Sequence, residues 1–252
     1  MAVLGVDGWR GAWVGALLDD RAVRLLALAD VAAVLAVADV EVIAIDMPIG
    51  LSDDGARACD VAARRLLGPA GSSVFPTPVR AVLATDDYAE ARALSRAATD
   101  PPRAPSAQAF QLVKAIRALD DALGDPPLDH VVEVHPELAF RALDPAVRDR
   151  KGTARGTVQR LRALRAVMDV EEALADAPPG VPVIDALDAC AAAWSAARIA
   201  AGTAECVGDG RTDARGRPMS GPRRCGPQRR STRARRIAST ISGRVARGER
   251  CG

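Results

Sequence analysis

Aromatic residues are scarce in this chain: three Trp, three Phe and one Tyr make up 3% of its 252 residues. Its core must therefore be filled by aliphatic side chains and alanine, and a 49% hydrophobic fraction supplies enough of them. Lysine is almost absent too. Only Lys114 and Lys151 among 34 basic residues are lysines, a bias that points to a GC-rich gene more than to a mechanism. The five cysteines, Cys59, Cys190, Cys206, Cys225 and Cys251, are odd in number and lack Cys-x-x-Cys spacing. That argues against both a disulfide framework and a zinc site. No uncharged run approaches the roughly 18 residues a membrane helix needs. Asp7 and Arg10 break the stretch that a signal peptide would keep apolar. The expectation is a soluble, cytoplasmic protein without a membrane partner.

The length fits one large domain, or one domain with extensions. A net charge of +2 hides an asymmetry. From Arg211 onward thirteen arginines face only Asp213 and Glu249, a net of +11, which leaves −9 for residues 1–210. An acidic body thus carries a basic end.

Three apolar runs, residues 2–7, 12–18 and 22–28, open the chain, and Asp19-Asp20 separates the last two. The pattern predicts a three-stranded meander, with Gly8 and Gly11 marking the first reversal and Asp7 at the carboxyl end of the first strand. A short helix is expected at 31–38. "VEVIAIDMPIG" then supplies a strand covered on both faces, ending at Asp46 before Pro48 forbids further pairing. Residues 51–127 read as a helical insertion in which Ser52 caps a helix stopped by Gly68, "GSSVFPTPVR" forms an irregular loop, and Leu112, Ile116, Leu119 and Leu123 recur at helical spacing. "LDHVVEVHPELAF" is the next strand, closed by Pro136; a basic helical stretch covers 155–175. The last helix is "DALDACAAAWSAARIAAG", with Leu187, Ala191 and Trp194 on one face. A strand–helix–strand passage calls for a parallel crossover, so the class is α/β with a mixed five-stranded sheet flanked by helices. The element order is that of the ribonuclease H-like fold.

The carboxylates carry the chemistry. In open α/β sheets the working crevice lies beyond the carboxyl ends of the strands. Neighbouring first and fourth strands would bring Asp7 and Asp46 side by side, and the fifth carries Glu133. Two such carboxylates resist ionising together unless a cation joins them, and Mg²⁺ or Mn²⁺ prefers hard oxygen ligands of this kind. Asp185 and Asp188, three apart on a helix, share one face that could point at the same place. Asp7, Asp46, Asp185 and Asp188 are thus the expected metal ligands, with Glu133 completing a catalytic set suited to phosphodiester hydrolysis. Plainer readings exist. Asp7 and Asp46 also fit turn positions, Asp185 and Asp188 an N-cap and capping box, and Glu133 a solvent-facing strand position. His135 fits a general acid–base group, a metal ligand or a hydrogen-bonded structural histidine. Arg57, Asp60 and Arg64 fit intrahelical pairing or a phosphate clamp.

Seven blocks in order carry a resemblance: "GVDGWRGAWVGALL", "AIDMPIGL", "RACDVAARRLLGPAGSSVFPTPVR", "SAQAFQLVKAI", "VEVHPELAF", "KGTARGTVQRL" and "DALDACAAAWSAAR". They resemble a bacterial and archaeal domain-of-unknown-function family described as predicted ribonuclease H-like nucleases, over residues 3 to about 219. The resemblance implies a ribonuclease H-like domain over 1–219 and a metal-dependent nuclease acting on nucleic acid. Its site acids would be Asp7, Asp46, Glu133, Asp185 and Asp188. The family's matching polar positions are Arg57, Asp60, Arg64, Ser72, Ser73, Arg80, Gln108, Lys114, His135, Glu137, Lys151 and Arg160. Of these Arg80, Ser72, Ser73, Lys151 and Arg160, with Arg155, are the candidate substrate-binding groups. A solvated helix face explains the basic stretch equally. Residues 220–252 depart from the pattern. Their composition cannot bury enough surface to fold alone, and fits either a nucleic-acid-binding arm or a read-through product. Two other functions share the fold: a catalytically silent binding module, and an actin-like ATP-dependent phosphotransferase. The latter needs two such domains and phosphate loops, where this chain has Trp9, Arg10 and Pro48.

Overall fold

The computed structural model describes residues 1–224. Its first three strands are β1 (Ala2–Trp9), β2 (Ala12–Asp19) and β3 (Ala22–Leu28), followed by α1 (Val31–Leu35) and β4 (Val40–Ile45). The meander is as expected: β1 pairs antiparallel with β2, and β2 with β3. Its first turn lies one step further along than the glycines suggested. Trp9 pairs with Ala12, so Arg10 (φ 48°) and Gly11 (φ 81°) form the two-residue reversal and Gly8 stays in the ladder opposite Trp13. Positive φ at both central residues is what a tight hairpin of this twist requires. Asp7 is therefore inside β1, opposite Val14, rather than at its end.

Between β4 and the next strand lie α2 (Ala58–Leu67), two 3₁₀ turns at Gly68–Ser73 and Arg80–Ala84, α3 (Tyr88–Ala98), α4 (Ala107–Gln111) and α5 (Val113–Ala122). Ser52 does not cap α2. Its hydroxyl instead accepts from the Gly55 amide at 3.1 Å, closing a turn, and Arg57 stands at the N-cap. Gly68 does end α2, in a left-handed conformation (φ 54°). Helix α5 is the true crossover element, because Ile116 and Leu119, with Leu123 just beyond it, pack on the sheet beside Leu4, Val6, Ile43 and Ile45.

Strand β5 (Val131–Glu133) pairs parallel with β4, which pairs parallel with β1. The sheet order is β3-β2-β1-β4-β5, a mixed five-stranded sheet of the α/β class. Helices α6 (Pro136–Leu143), α7 (Ala154–Arg165), α8 (Val170–Ala175) and α9 (Val183–Ala200) cover the face opposite α5. Here the shortage of aromatics has a structural counterpart. Six of the ten buried residues of α9 are alanine, and the helix lies so close to β1 that a Cβ on Gly5 would fall 2.0 Å from the Ala193 backbone nitrogen.

A two-stranded ribbon, β6 (Glu205–Val207) and β7 (Gly221–Arg224), ends the described chain. Between them Asp213 accepts the Leu51 amide at 3.0 Å and pairs with Arg80, and fully buried Arg217 pairs with Asp120 at 2.8 Å. This latch ties the segment to α5 and to the loop after β4. The basic tail beyond Arg224 lies outside the described residues. No helix among the described residues is long and apolar enough to cross a membrane.

Candidate carboxylate site

Strand register brings the first two acids together. Val6 pairs with Ile45 as the last step of the parallel β1–β4 ladder, and the Asp46 amide donates to the Val6 carbonyl at 2.9 Å. Asp7 and Asp46 thus follow side by side where the ladder opens. Side chains alternate faces along a strand. Val6 and Ile45 belong to the α5-side core and Ala44 to the α9-side core, so both aspartates face α9. Gly5 is the point where α9 touches β1, against Ala189 and Ala193. One turn earlier on α9 stand Asp188, 1% exposed, and Asp185. Neither caps the helix: Pro182 occupies the N-cap position, so the capping-box reading falls and both carboxyls are left for the site.

The electrostatics follow from this crowding. Burial, then the neighbouring Asp46 and Asp188, push the Asp7 carboxyl far above the usual carboxylate range. Asp46 is raised by burial and then by Asp188, with Glu133 adding to it. Burial also raises Asp185 and Asp188. Lys151 answers them most directly, its Nζ 2.6 Å from Asp188 Oδ2, while Arg10 also acts on Asp185 and Arg160 on Asp188. Burial works to lower the Lys151 pKa, but Asp188, Asp7 and Asp46 outweigh it and hold the ammonium charged. The other oxygen, Asp188 Oδ1, is buried without a hydrogen-bond partner. An orphaned acceptor among hard oxygen donors has the chemistry Mg²⁺ or Mn²⁺ prefers, although no three of these four aspartates bring ligand atoms within 4.8 Å of one another.

Glu133 belongs beside the cluster but is already occupied. It pairs with Ile45 on β4, accepts the Ile49 amide at 2.7 Å, and receives Arg57 on both oxygens at 2.7 Å. It does not face solvent, and it is not a free catalytic carboxylate. Arg57, 2% exposed, also binds Asp60 at 2.5 Å and the Ile49 and Gly50 carbonyls at 3.1 Å. Hence Arg57 and Asp60 pair as expected, but as a brace for the loop behind Asp46. Cys59, Asp60 and Glu133 place ligand atoms within 4.8 Å of one another, yet the Arg57 guanidinium already supplies their cation. Burial lifts the Cys59 thiol to about 12, which keeps it protonated and a poor ligand.

A cavity of about 230 Å³ opens on the cluster. Of the cluster only Asp46, Asp188 and Lys151 line it, beside Ser72, Ser73, Gln108, His135 and the carboxylates Asp60, Glu133 and Glu137. Ser72 and Ser73 are exposed there, as a substrate contact requires. Three expected substrate-binding arginines are placed differently. Arg160, 3% exposed, is held by Glu137 at 2.6 Å and stacks over Phe140 at 5.2 Å, a structural ion pair that cannot reach phosphate. Arg80 spends its guanidinium on Asp120 at 2.9 Å and on Asp213, in the latch rather than the cleft. Arg155 is exposed on α7, 3.5 Å from Asp149, and does not line the cavity. Burial lowers His135 to about 4, so its imidazole is neutral, and its Nδ1 is buried without a partner. Phe75 and Thr77, which also line the cavity, were not singled out by sequence; only their place in "SSVFPTP" marks them.

The fold and site define an α/β protein with an acidic cluster where its parallel strands end. The chain belongs to the family described as "Protein of unknown function (DUF429)", whose model matches residues 5–213. No curated protein and no solved structure matches it.

Proposed function

We propose that this protein is a metal-dependent nuclease of ribonuclease H-like architecture that hydrolyses phosphodiester bonds in nucleic acid. The observation that carries the reading is the convergence of Asp7, Asp46, Asp185 and Asp188, from three separate elements, around the orphaned oxygen of Asp188. An antiparallel meander continued by two parallel strands supports the architecture. The four aspartates would hold Mg²⁺ or Mn²⁺, which would supply Lewis-acid activation of water and charge neutralisation at the leaving oxygen. Arg57 and Glu133 fix the loop that follows Asp46, and Lys151 is the cation nearest an incoming phosphate. Ser72 offers a hydroxyl donor across the cleft, while the Ser73 hydroxyl already donates to the Ala70 carbonyl at 2.8 Å.

The test is incubation of purified protein with Mg²⁺ or Mn²⁺ and single-stranded, duplex, hybrid and branched substrates. Metal-dependent cleavage abolished by Asp7→Asn supports the reading. No cleavage of any substrate, or cleavage that Asp7→Asn leaves intact, overturns it. The Lys151–Asp188 pair favours a second reading, a silent binding module whose cluster is neutralised by lysine alone. Calorimetry with Mn²⁺ separates the two, because that module shows no affinity sensitive to Asp46→Ala.

A further inference from the structure

A second cavity, of about 390 Å³, lies behind the cleft between α2, α6, α9 and β6. It shares His135 with the carboxylate cavity, so one imidazole forms the partition between the two. Its wall has two parts. Leu66, Leu138 and the face of α9 that bears Trp194 are apolar, while Arg141 and Arg198 are cationic and Glu205 is the one carboxylate. The two arginines are differently employed. Arg198 lies 4.8 Å over the Trp194 ring and donates to the Thr203 carbonyl at 2.8 Å. Arg141 differs: its Nε is buried without a hydrogen-bond partner, as are those of Arg80, Arg160 and Arg217, but unlike them it makes no ion pair among the described residues. His135 Nδ1 is orphaned in the same way.

A polar group left without a partner beside an apolar wall is costly, and an unpaired guanidinium there is best completed by an anion. A guanidinium with an unused donor selects an anion with several acceptor oxygens. An indole beside apolar side chains selects a flat, weakly polar ring. Phosphate joined to a base satisfies both, and the volume is within the range of small-molecule sites. Position adds a third argument. Ser195 and Asp188 are seven residues apart on α9, two helical turns, so the cavity begins about 10 Å from the carboxylate cluster.

We infer that this cavity is a nucleotide subsite, in which Arg141 holds the phosphate and the Trp194 wall the base of a strand unit next to the one being cleaved. The inference rests on the nuclease reading for its strand, and on its own residues for its ligand.

Calorimetric titration of the full chain in EDTA tests it, with adenosine 5′-monophosphate, adenosine, inorganic phosphate and a 5′-phosphorylated tetranucleotide as probes. Adenosine monophosphate should bind at least tenfold more tightly than adenosine or phosphate alone, and the tetranucleotide more tightly still. Arg141→Gln should weaken the monophosphate at least tenfold, Arg141→Lys less, and Trp194→Leu should erase its advantage over phosphate. Asp46→Asn should leave this binding unchanged, with thermal melting confirming that every variant is folded. Failure of the monophosphate to bind, indifference to Arg141→Gln, or an equal loss in Asp46→Asn overturns the subsite. A monophosphate that outcompetes the tetranucleotide overturns its assignment to a strand. Loss of the nuclease reading is a separate result, seen as Mn²⁺-dependent cleavage that is absent or indifferent to Asp7→Asn while monophosphate binding persists.

Discussion

Lys151→Met is the most informative single change, because it removes the only ammonium from a group of four buried or half-buried carboxyls. Breaking a fully buried ion pair by deleting one partner costs about 3–5 kcal/mol. Lys151 is 46% exposed, so water screens part of that loss and about 1–2 kcal/mol is the appropriate scale. For a chain of this length each kcal/mol moves the melting temperature by about 2–4 °C, so the metal-free variant should melt about 2–8 °C lower. Metal binding should move the other way. In the wild type an ion must enter against the ammonium, and relief of about 1–2 kcal/mol corresponds to about 5- to 30-fold tighter Mn²⁺ binding in the variant. Melting curves in EDTA and with saturating Mn²⁺, together with calorimetry, read both quantities. A variant that melts like wild type in EDTA, or binds Mn²⁺ no more tightly, would refute the reasoning.

Gly5→Ala places a methyl group against the α9 backbone, which cannot yield locally, so the helix and Asp188 must shift. The expected cost is about 3 kcal/mol by chemical denaturation, with a parallel loss of Mn²⁺ affinity. Glu137→Gln strands the buried Arg160 charge and should cost about 3–5 kcal/mol; a merely substrate-binding Arg160 would leave stability unchanged. His135 sets an acid limit. Its folded value of about 4 lies below the ordinary 6.5, so the folded state binds fewer protons in that window. Its stabilisation is complete above pH 6.5 and lost toward pH 4, by about 3 kcal/mol at most. Denaturation midpoints of His135→Gln should lack that slope.

Much of the architecture was written in local pattern. The runs that became β1, β2 and β4 are largely apolar because both faces of these inner strands are covered, and Leu112, Ile116, Leu119 and Leu123 showed the stripe that seats α5 on the sheet. The pairing of Asp7 with Asp46 was legible as well, since two apolar runs that each lead into an acid need only be parallel neighbours to bring them together, even though β1 itself continues past Asp7 to Trp9. What could not be read was occupancy. Glu133 is met by Arg57, 76 residues earlier in the chain, and Arg160 by Glu137, 23 residues away. A basic helix looks the same in sequence whether its arginines turn outward or inward, and the partner that decides lies on another element. The first turn was misplaced for a different reason: Arg10 adopts a left-handed conformation that glycine usually takes, so Gly8 drew the reversal too early.

Charge finally limits how the proposed substrate can be held. Residues 1–210 sum to −9, and the cations around the cleft are mostly consumed by carboxylates: Arg57 by Glu133 and Asp60, Arg160 by Glu137, Arg80 by Asp120 and Asp213. Lys151, paired with Asp188 but half-exposed, and Arg141 and Arg198, which no carboxylate holds among the described residues, remain near enough to meet phosphate. Each phosphate contact contributes about −0.7 to the slope of log affinity against log salt for a single strand, so three contacts give about −2. The eight arginines of residues 225–252, if they bind the same strand, would make it about −6 or steeper. Binding of a fluorescent single strand by the full chain, titrated with salt in EDTA, distinguishes these values. A slope near −2 assigns recognition to the cleft and its neighbouring cavity. A slope near −6 would refute that assignment, because a body that repels nucleic acid would then depend on its arginine-rich end to hold the strand at all.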